Sequence, residues 1–151
     1  MDMNRAYVAG LIDGEGCIHI EIVRGLFFNP RVTVGMTEPA LQLLQNLQAE
    51  WGGTLYQARK PTKKWAAAWA WHLTAEPAAN LLMEIKPYLR LKHEQADIAL
   101  EVWHVKQSLE KRKNGHRSWT EQARSRCREL VSRMHDLNRK GPQPDAESAV
   151  A

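Results

Sequence analysis

Apolar residues recur along the chain in two rhythms, one of helices and one of half-buried strands. Tyr7, Val8, Leu11 and Ile12 fall at helical spacing and predict a first helix over residues 4–13, ended by Gly14 and Gly16. Ile18, Ile20 and Ile22 then alternate with His19, Glu21 and Val23, which predicts a strand with one buried face. Gly25 to Pro30 reads as a turn, and Val32, Val34 and Met36 alternate with Arg31, Thr33 and Gly35 in a second strand. Thr37 is positioned to cap a helix entering through Glu38 and Pro39, with an apolar face of Leu41, Leu44, Leu47 and Trp51 and a stop at Gly52-Gly53.

A third strand is predicted around Tyr56 to Arg59, with Tyr56 and Ala58 on one side and Gln57 and Arg59 on the other. In the fourth, Trp69, Trp71 and Leu73 alternate with Ala70 and His72. A helix over about 76–89 presents Leu81, Leu82, Ile85 and Leu89, and another spans about 92–109 with Ala99, Val102 and Trp103 on one side. The last helix starts at Ser118, whose spacing to Glu121 suits a capping box, and buries Ala123, Cys127, Leu130, Met134 and Leu137 before Gly141. The expected class is α+β in the order αββαββα: a four-stranded antiparallel sheet with helices on one face and extra C-terminal helices. Residues 1–141 form one expected domain, and 142–151 an expected disordered tail.

A sheet covered on one side leaves its other face to solvent or a ligand. Alternation assigns His19, Glu21, Arg31, Thr33, Gln57, Arg59 and His72 to that open face. Any one-sided sheet has a polar outer face, but this one is also partly basic, as a surface reading a DNA groove must be.

Composition sharpens this picture in one respect. The net charge is only +4, yet residues 1–100 are balanced whereas residues 101–140 hold eleven Lys/Arg against five Asp/Glu. Arg59, Lys60, Lys63 and Lys64 form a second, acid-free basic run. Clustered positive charge suits a polyanion. No apolar run approaches a membrane span, and Asp2 stands where a signal peptide would be basic, so a cytoplasmic, bacterial or phage-type setting without a membrane partner is expected. Cys17 and Cys127 form no CxxC pair and read as core residues.

The candidate chemistry lies at the end of the first helix. Gly10 and Gly14 stand four apart on the side shared by Tyr7 and Leu11, whereas Val8 and Ile12 point the opposite way. A helix with two apolar faces is buried on both, and in a chain with one such helix its symmetry mate is the simplest partner. A two-fold axis there brings two Glu15 carboxylates near each other, which is unfavourable unless a cation lies between them. By itself, Asp13-Gly14-Glu15-Gly16 also reads as a polar turn closing a helix.

Val8-Ala9-Gly10-Leu11-Ile12-Asp13-Gly14-Glu15-Gly16 resembles the signature of the LAGLIDADG homing endonucleases, in their single-motif homodimeric branch because no second copy follows. Lys86 to Ala96 is similar to the family's Pro-(aromatic)-Leu-x-x-Lys-x-x-Gln-Ala stretch, and Leu137 to Gly141 to its Leu-Asn-basic-basic-Gly ending. The resemblance implies a Mg²⁺-dependent endonuclease, its site open also to Mn²⁺ or Ca²⁺, that cuts both strands of a long, near-palindromic double-stranded DNA as a homodimer, with no small-molecule substrate. An inactive relative, acting as an RNA-splicing maturase or a DNA-binding regulator, is the alternative.

Residue by residue, the resemblance implies that Glu15 is the metal-binding catalytic acid and the Gly14 carbonyl a further ligand. Asp13 becomes structural, and Lys92 the cation near the cleaved phosphates. Glu38, with Gln42 one turn on, corresponds to a solvent-organising position. Tyr7, Gly10, Leu11 and Gly14 form the dimer interface. The outer face, extended by Arg24 and Asn29, implies DNA contacts from His19, Glu21, Arg24, Asn29, Arg31, Thr33, Gln57, Arg59 and His72, with Arg31 or Arg59 suited to guanine and Asn29 or Gln57 to adenine. Lys60, Lys63 and Lys64 suit phosphates, while Trp69 and Trp71 belong to the core.

Overall fold

The computed structural model describes residues 2–139. Helix α1 (Arg5–Glu15) is capped by Asn4, whose side chain accepts from the Tyr7 N–H at 3.0 Å. It runs through Gly14 to Glu15, two residues beyond the expected end, and buries Val8, Ala9 and Ile12 completely. Strand β1 (Gly16–Val23) follows directly and pairs antiparallel with β2 (Phe27–Thr37). The turn between them is only residues 24–26, shorter than expected, with Arg24 and Gly25 in the left-handed region. Pro30 lies inside β2, where pairing to β4 has not yet begun and an N–H is dispensable.

Residues Glu38–Ala40 form a 3₁₀ turn rather than the first turn of a helix. Thr37 makes no side-chain cap, and the Glu38 N–H is taken by the Ala67 carbonyl at 2.8 Å. Helix α2 (Leu41–Trp51) then buries Leu44 and Leu47. Strands β3 (Thr54–Arg59) and β4 (Ala68–Thr74) complete a sheet of order β1-β2-β4-β3, antiparallel throughout. Gly53 joins α2 to β3 at φ 87°, and a Cβ there would lie 2.3 Å from the His72 carbonyl oxygen. The adjoining Gly52 carbonyl accepts from the fully buried Trp71 indole N–H at 2.8 Å.

Helix α3 (Ala75–Ile85) is shorter than expected. Pro87 has no N–H for a helical bond, and Lys86–Tyr88 tighten into a 3₁₀ turn. Helix α4 (His93–Ser108) and helix α5 (Glu121–Asn138) finish the described chain. Thr120, not Ser118, caps α5, accepting from the Ala123 N–H at 3.1 Å. Ser118 accepts instead from Arg112 Nε, and Trp119 packs on Phe28 at 5.6 Å between ring centroids. Asn138 ties the end of α5 to β1 through the Ile18 carbonyl at 2.8 Å. The Gly141 stop and the tail from 142 lie outside the described residues.

Inward residues from the four-strand sheet and all five helices meet in one buried cluster centred on Ile12, Ile18, Val32, Leu44, Trp71, Leu82 and Leu130. The sequence expectation for Cys127 holds: it is buried, and burial pushes its thiol up to about 11. Cys17 does not join the core. It occupies the outward register of β1 and is exposed. Among the described residues no helix is long and apolar enough to cross a membrane.

Candidate active site and nucleic-acid interface

The end of α1 gathers three chemically distinct groups. Asp13 accepts from three main-chain N–H groups of the segment before α4: Arg90 at 2.8 Å, Leu91 at 3.2 Å and Lys92 at 3.0 Å. Both carboxylate oxygens are thereby engaged, so Asp13 clamps the α1 terminus to the start of α4. Asp13→Ala leaves those donors without their charged acceptor, and a loss of about 2 kcal/mol is expected. Denaturant unfolding should record it as a lower midpoint at unchanged slope.

The clamp sets Lys92 against the same helix end. Its ammonium donates to the Ile12 carbonyl at 2.9 Å and to the Gly16 carbonyl. An ammonium has three donors, so one N–H stays available to an incoming anion. Glu15 is exposed, with no hydrogen bond or ion pair among the described residues. The Gly14 carbonyl belongs to the last helical turn and has no intrahelical N–H to accept.

No three His, Cys, Asp or Glu side chains converge as a metal cage among the described residues. One free carboxylate beside one main-chain carbonyl nevertheless suits Mg²⁺, which keeps several waters and takes the rest of its oxygens from substrate phosphates. Gly10 and Gly14 are exposed, and a Cβ built on either meets nothing within 4 Å. Tyr7 is 55% exposed beside them. Tyr7, Gly10 and Gly14 are therefore uncovered within the chain, whereas Leu11 of the same expected face is half-buried and packs against the core.

The strand register fixes which side chains share the outer face. Cys17, Thr33, His72 and Thr54 lie in one row across the sheet, and His19, Arg31 and Thr74 in the next. Glu21 accepts from Arg31 at 3.0 Å and from the Thr74 hydroxyl at 2.7 Å, so an acid and a base expected to address bases separately form one linked group. Asn29 accepts from Lys106 at 2.6 Å.

Gln57 departs from expectation. It pairs with Trp69, in the register of the helix-covered face, while Tyr56 takes the outer position and packs edge-on against His72 at 5.8 Å. A bulge between Gln57 and Arg59 then restores Arg59 to the outer register opposite Ala68. Arg59 donates to the Ala66 carbonyl at 3.0 Å. Lys60, Lys63 and Lys64 are exposed in the β3–β4 connection, and Arg24 is exposed in the β1–β2 turn. Glu38 and Gln42 are exposed as well. Gln42 donates to Asn46 at 3.0 Å, and neither residue is hydrogen-bonded to Glu15 or Lys92.

Two histidines of this face carry depressed pKa values. Burial disfavours the charged rings of His19 and His72, the positive charge of Arg31 adds to it, and Glu21 opposes it. The buried His72 Nδ1 has no hydrogen-bond partner among the described residues, which accords with the direction. The unfolded chain therefore takes up these protons more readily than the folded one. Their contribution is complete above the ordinary imidazole pKa of about 6.5 and is lost as pH falls through the folded values. Between about pH 7.5 and about pH 5.5 the thermal midpoint should fall, and fall less in a His19→Gln/His72→Gln variant. Equal falls in both proteins would reject that assignment.

A four-stranded antiparallel sheet of this order under these helices matches the fold of solved homing endonucleases. I-CvuI, solved in complex with its target in the presence of 2 mM Ca, matches with a TM-score of 0.69 at 21% identity, over 92% of this chain and 83% of its own. The homing endonuclease I-TnaI matches at 0.61 and 16% identity, over 93% and 92% of the two chains. The LAGLIDADG homing endonuclease I-SmaMI, solved bound to cleaved DNA, matches at 0.62 and 16% identity, over 98% of this chain but 48% of its own. No family model and no curated protein matches the sequence.

Proposed function

We propose that this chain is a single-motif LAGLIDADG homing endonuclease that cuts both strands of a specific DNA duplex as a homodimer, with Mg²⁺. The observation that carries the reading is that one helix end holds both a carboxylate left free, Glu15, and the Lys92 ammonium, anchored on the Ile12 and Gly16 carbonyls that flank it in sequence. Correspondence to 83% of I-CvuI, but 48% of I-SmaMI, supports a unit that needs a second copy.

In this reading the outer sheet face docks into the major groove, and Tyr7, Gly10, Leu11 and Gly14 bring two copies of α1 together. Glu15 and the Gly14 carbonyl would hold the cation. Mg²⁺, when bound, neutralises charge on the phosphate oxygens and on the attacking and leaving oxygens. Lys92 keeps two N–H groups on carbonyls and directs the third toward the phosphate, where a fixed cation stabilises developing charge without reorganising. Asp13 positions Lys92 and does not itself meet substrate. Residues 1–141 act as one domain.

The test is incubation of the purified chain and Mg²⁺ with a duplex that joins the sequences flanking its own coding frame, as an uninterrupted allele would. Cleavage of both strands at one position is expected. Tight binding with an intact duplex would instead identify a non-catalytic DNA binder.

A further inference from the structure

We propose that a second basic site, a cleft of about 790 Å³ beside the β1–β2 turn, grips DNA backbone phosphates beyond the end of the sheet. This rests on the DNA-binding reading above and extends it from Arg24 and Asn29 to residues of α4 and of the segment joining α4 to α5, which that reading does not use.

The cleft lies between that turn, the C-terminal end of α4 and the segment joining α4 to α5. Arg24, Lys106, Lys111, Arg112, Arg117 and Arg124 line it, and Glu76 is its one acidic residue. Among the described residues none of those six cations forms an ion pair, although Arg5, Arg31, Arg126 and Arg128 all do elsewhere. Neutral acceptors fix most of them instead. Arg117 donates to the Leu109 carbonyl and Gln107 at 3.0 and 2.8 Å, Arg124 to the Leu26 carbonyl at 3.2 Å, and Arg112 to the Ser118 hydroxyl at 3.1 Å. Carbonyls and hydroxyls orient a guanidinium without cancelling its charge. The cleft is thus a preassembled positive field in which six cations face the single acid Glu76 and none is ion-paired among the described residues.

The segment carrying these residues is itself held. The Arg112 N–H donates to the His116 carbonyl at 2.7 Å, Ser118 to Glu110 at 2.8 Å, and Lys111 bridges Arg117. Burial first, and then the neighbouring Arg117, lowers the pKa of Lys106 against an opposing pull from Glu21.

Continuity with the outer face selects the anion. Lys106 holds Asn29, which pairs in register with Glu21 and lies two residues from Arg31, so the cleft prolongs the proposed groove-reading surface. Strand β1 leads from the Glu15 end of α1 to the turn at the cleft in eight residues. At about 3.3 Å per residue that is roughly 26 Å, or about eight base-pair steps from the cleaved phosphates. A duplex lying along the sheet brings its backbone there, where contacts set register and affinity but read no sequence.

The test measures salt dependence of binding by fluorescence anisotropy. Its probes are the flank-joined duplex and an unrelated duplex, with the full chain, Lys111→Ala, Lys111→Ala/Arg112→Ala, and a charge-matched control, Arg128→Ala/Arg133→Ala. Because each dimer carries two clefts, the slope of log affinity against log salt should flatten by about two for Lys111→Ala and about four for the double variant on both duplexes, with the control unchanged. Lys111 has no side-chain hydrogen bond among the described residues, so its single variant keeps the test clear of loop disruption. Wild-type slopes in both cleft variants overturn the cleft alone, whereas no wild-type binding to either duplex overturns the DNA reading as well. Stoichiometric calorimetric binding of inorganic tripolyphosphate, lost in the cleft variants while DNA slopes stay unchanged, would assign the cleft to a free anion and also overturn the proposal.

Discussion

Glu15→Gln is expected to abolish DNA cleavage while leaving both folding and DNA binding intact. The amide matches the carboxylate in shape, and Glu15 makes no hydrogen bond or ion pair among the described residues, so the substitution removes charge and little else. Losing the one free acid at this helix end removes the anionic ligand proposed for the cation. Cation stabilisation of phosphoryl charge is worth several kcal/mol, and at about 1.4 kcal/mol per tenfold a rate loss of roughly a thousandfold follows. Cleavage of the flank-joined duplex should fall by that factor, with the thermal midpoint and the dissociation constant measured in Ca²⁺ unchanged. A residual rate within tenfold of wild type would remove Glu15 from the mechanism.

The neighbouring acid provides the contrast that makes this result interpretable. Asp13 stands two residues away in the same motif, yet both its oxygens are committed to main-chain N–H groups. Its replacement should cost stability first and activity only through the displaced Lys92. Two acids of one turn are thus separated by what each already binds: Asp13 holds the fold, and Glu15 is left free for the proposed chemistry.

Much of this arrangement is legible in the sequence because periodicity carries it. Ile18 and Ile20, Val32 and Val34, and Trp71 and Leu73 alternate without interruption and turn inward as read. The element order follows from such runs. Errors arise where a single residue shifts phase or competes for a partner. The bulge after Gln57 is invisible in a six-residue edge strand that is mostly exposed, so Tyr56 and Gln57 exchange faces. Ser118 has the spacing of a cap, but its hydroxyl is claimed by Arg112, which leaves Thr120 as the cap. Parity puts Cys17 opposite Ile18, so its exposure could have been read from the strand itself.

For the candidate site, the motif supplied Glu15 and Gly14, and the later stretch supplied Lys92. That Lys92 reaches back across the fold to Ile12 and Gly16 depends on tertiary contact between α1 and the start of α4, which no local pattern encodes. The basic cleft was half visible, as the charge excess after residue 100. Its pocket requires the β1–β2 turn, and Arg24 and Lys106 lie 82 positions apart.

Gly14→Leu is expected to convert the protein from dimer to monomer without weakening the fold of the single chain. Within the chain a Cβ at Gly14 meets nothing within 4 Å, so the larger side chain enters open space. Leucine also favours a helix over glycine by about 0.8 kcal/mol, which acts toward greater stability of the isolated chain. Any loss must then come from outside the chain, and the proposed second α1 is what occupies that space. Small residues four apart allow two backbones to approach closely, and a leucine at one of them holds the helices apart. Sedimentation should show the wild type as a dimer and the variant as a monomer, and the concentration dependence of the wild-type thermal midpoint should vanish. Affinity for a near-palindromic duplex should fall steeply, because each monomer then grips one half-site alone. Gly14→Ala, a far smaller intrusion, should retain the dimer in part and separate crowding from loss of glycine itself. A Gly14→Leu protein that still sediments as a dimer would place the subunit contact elsewhere and leave the uncovered face of α1 without its proposed partner.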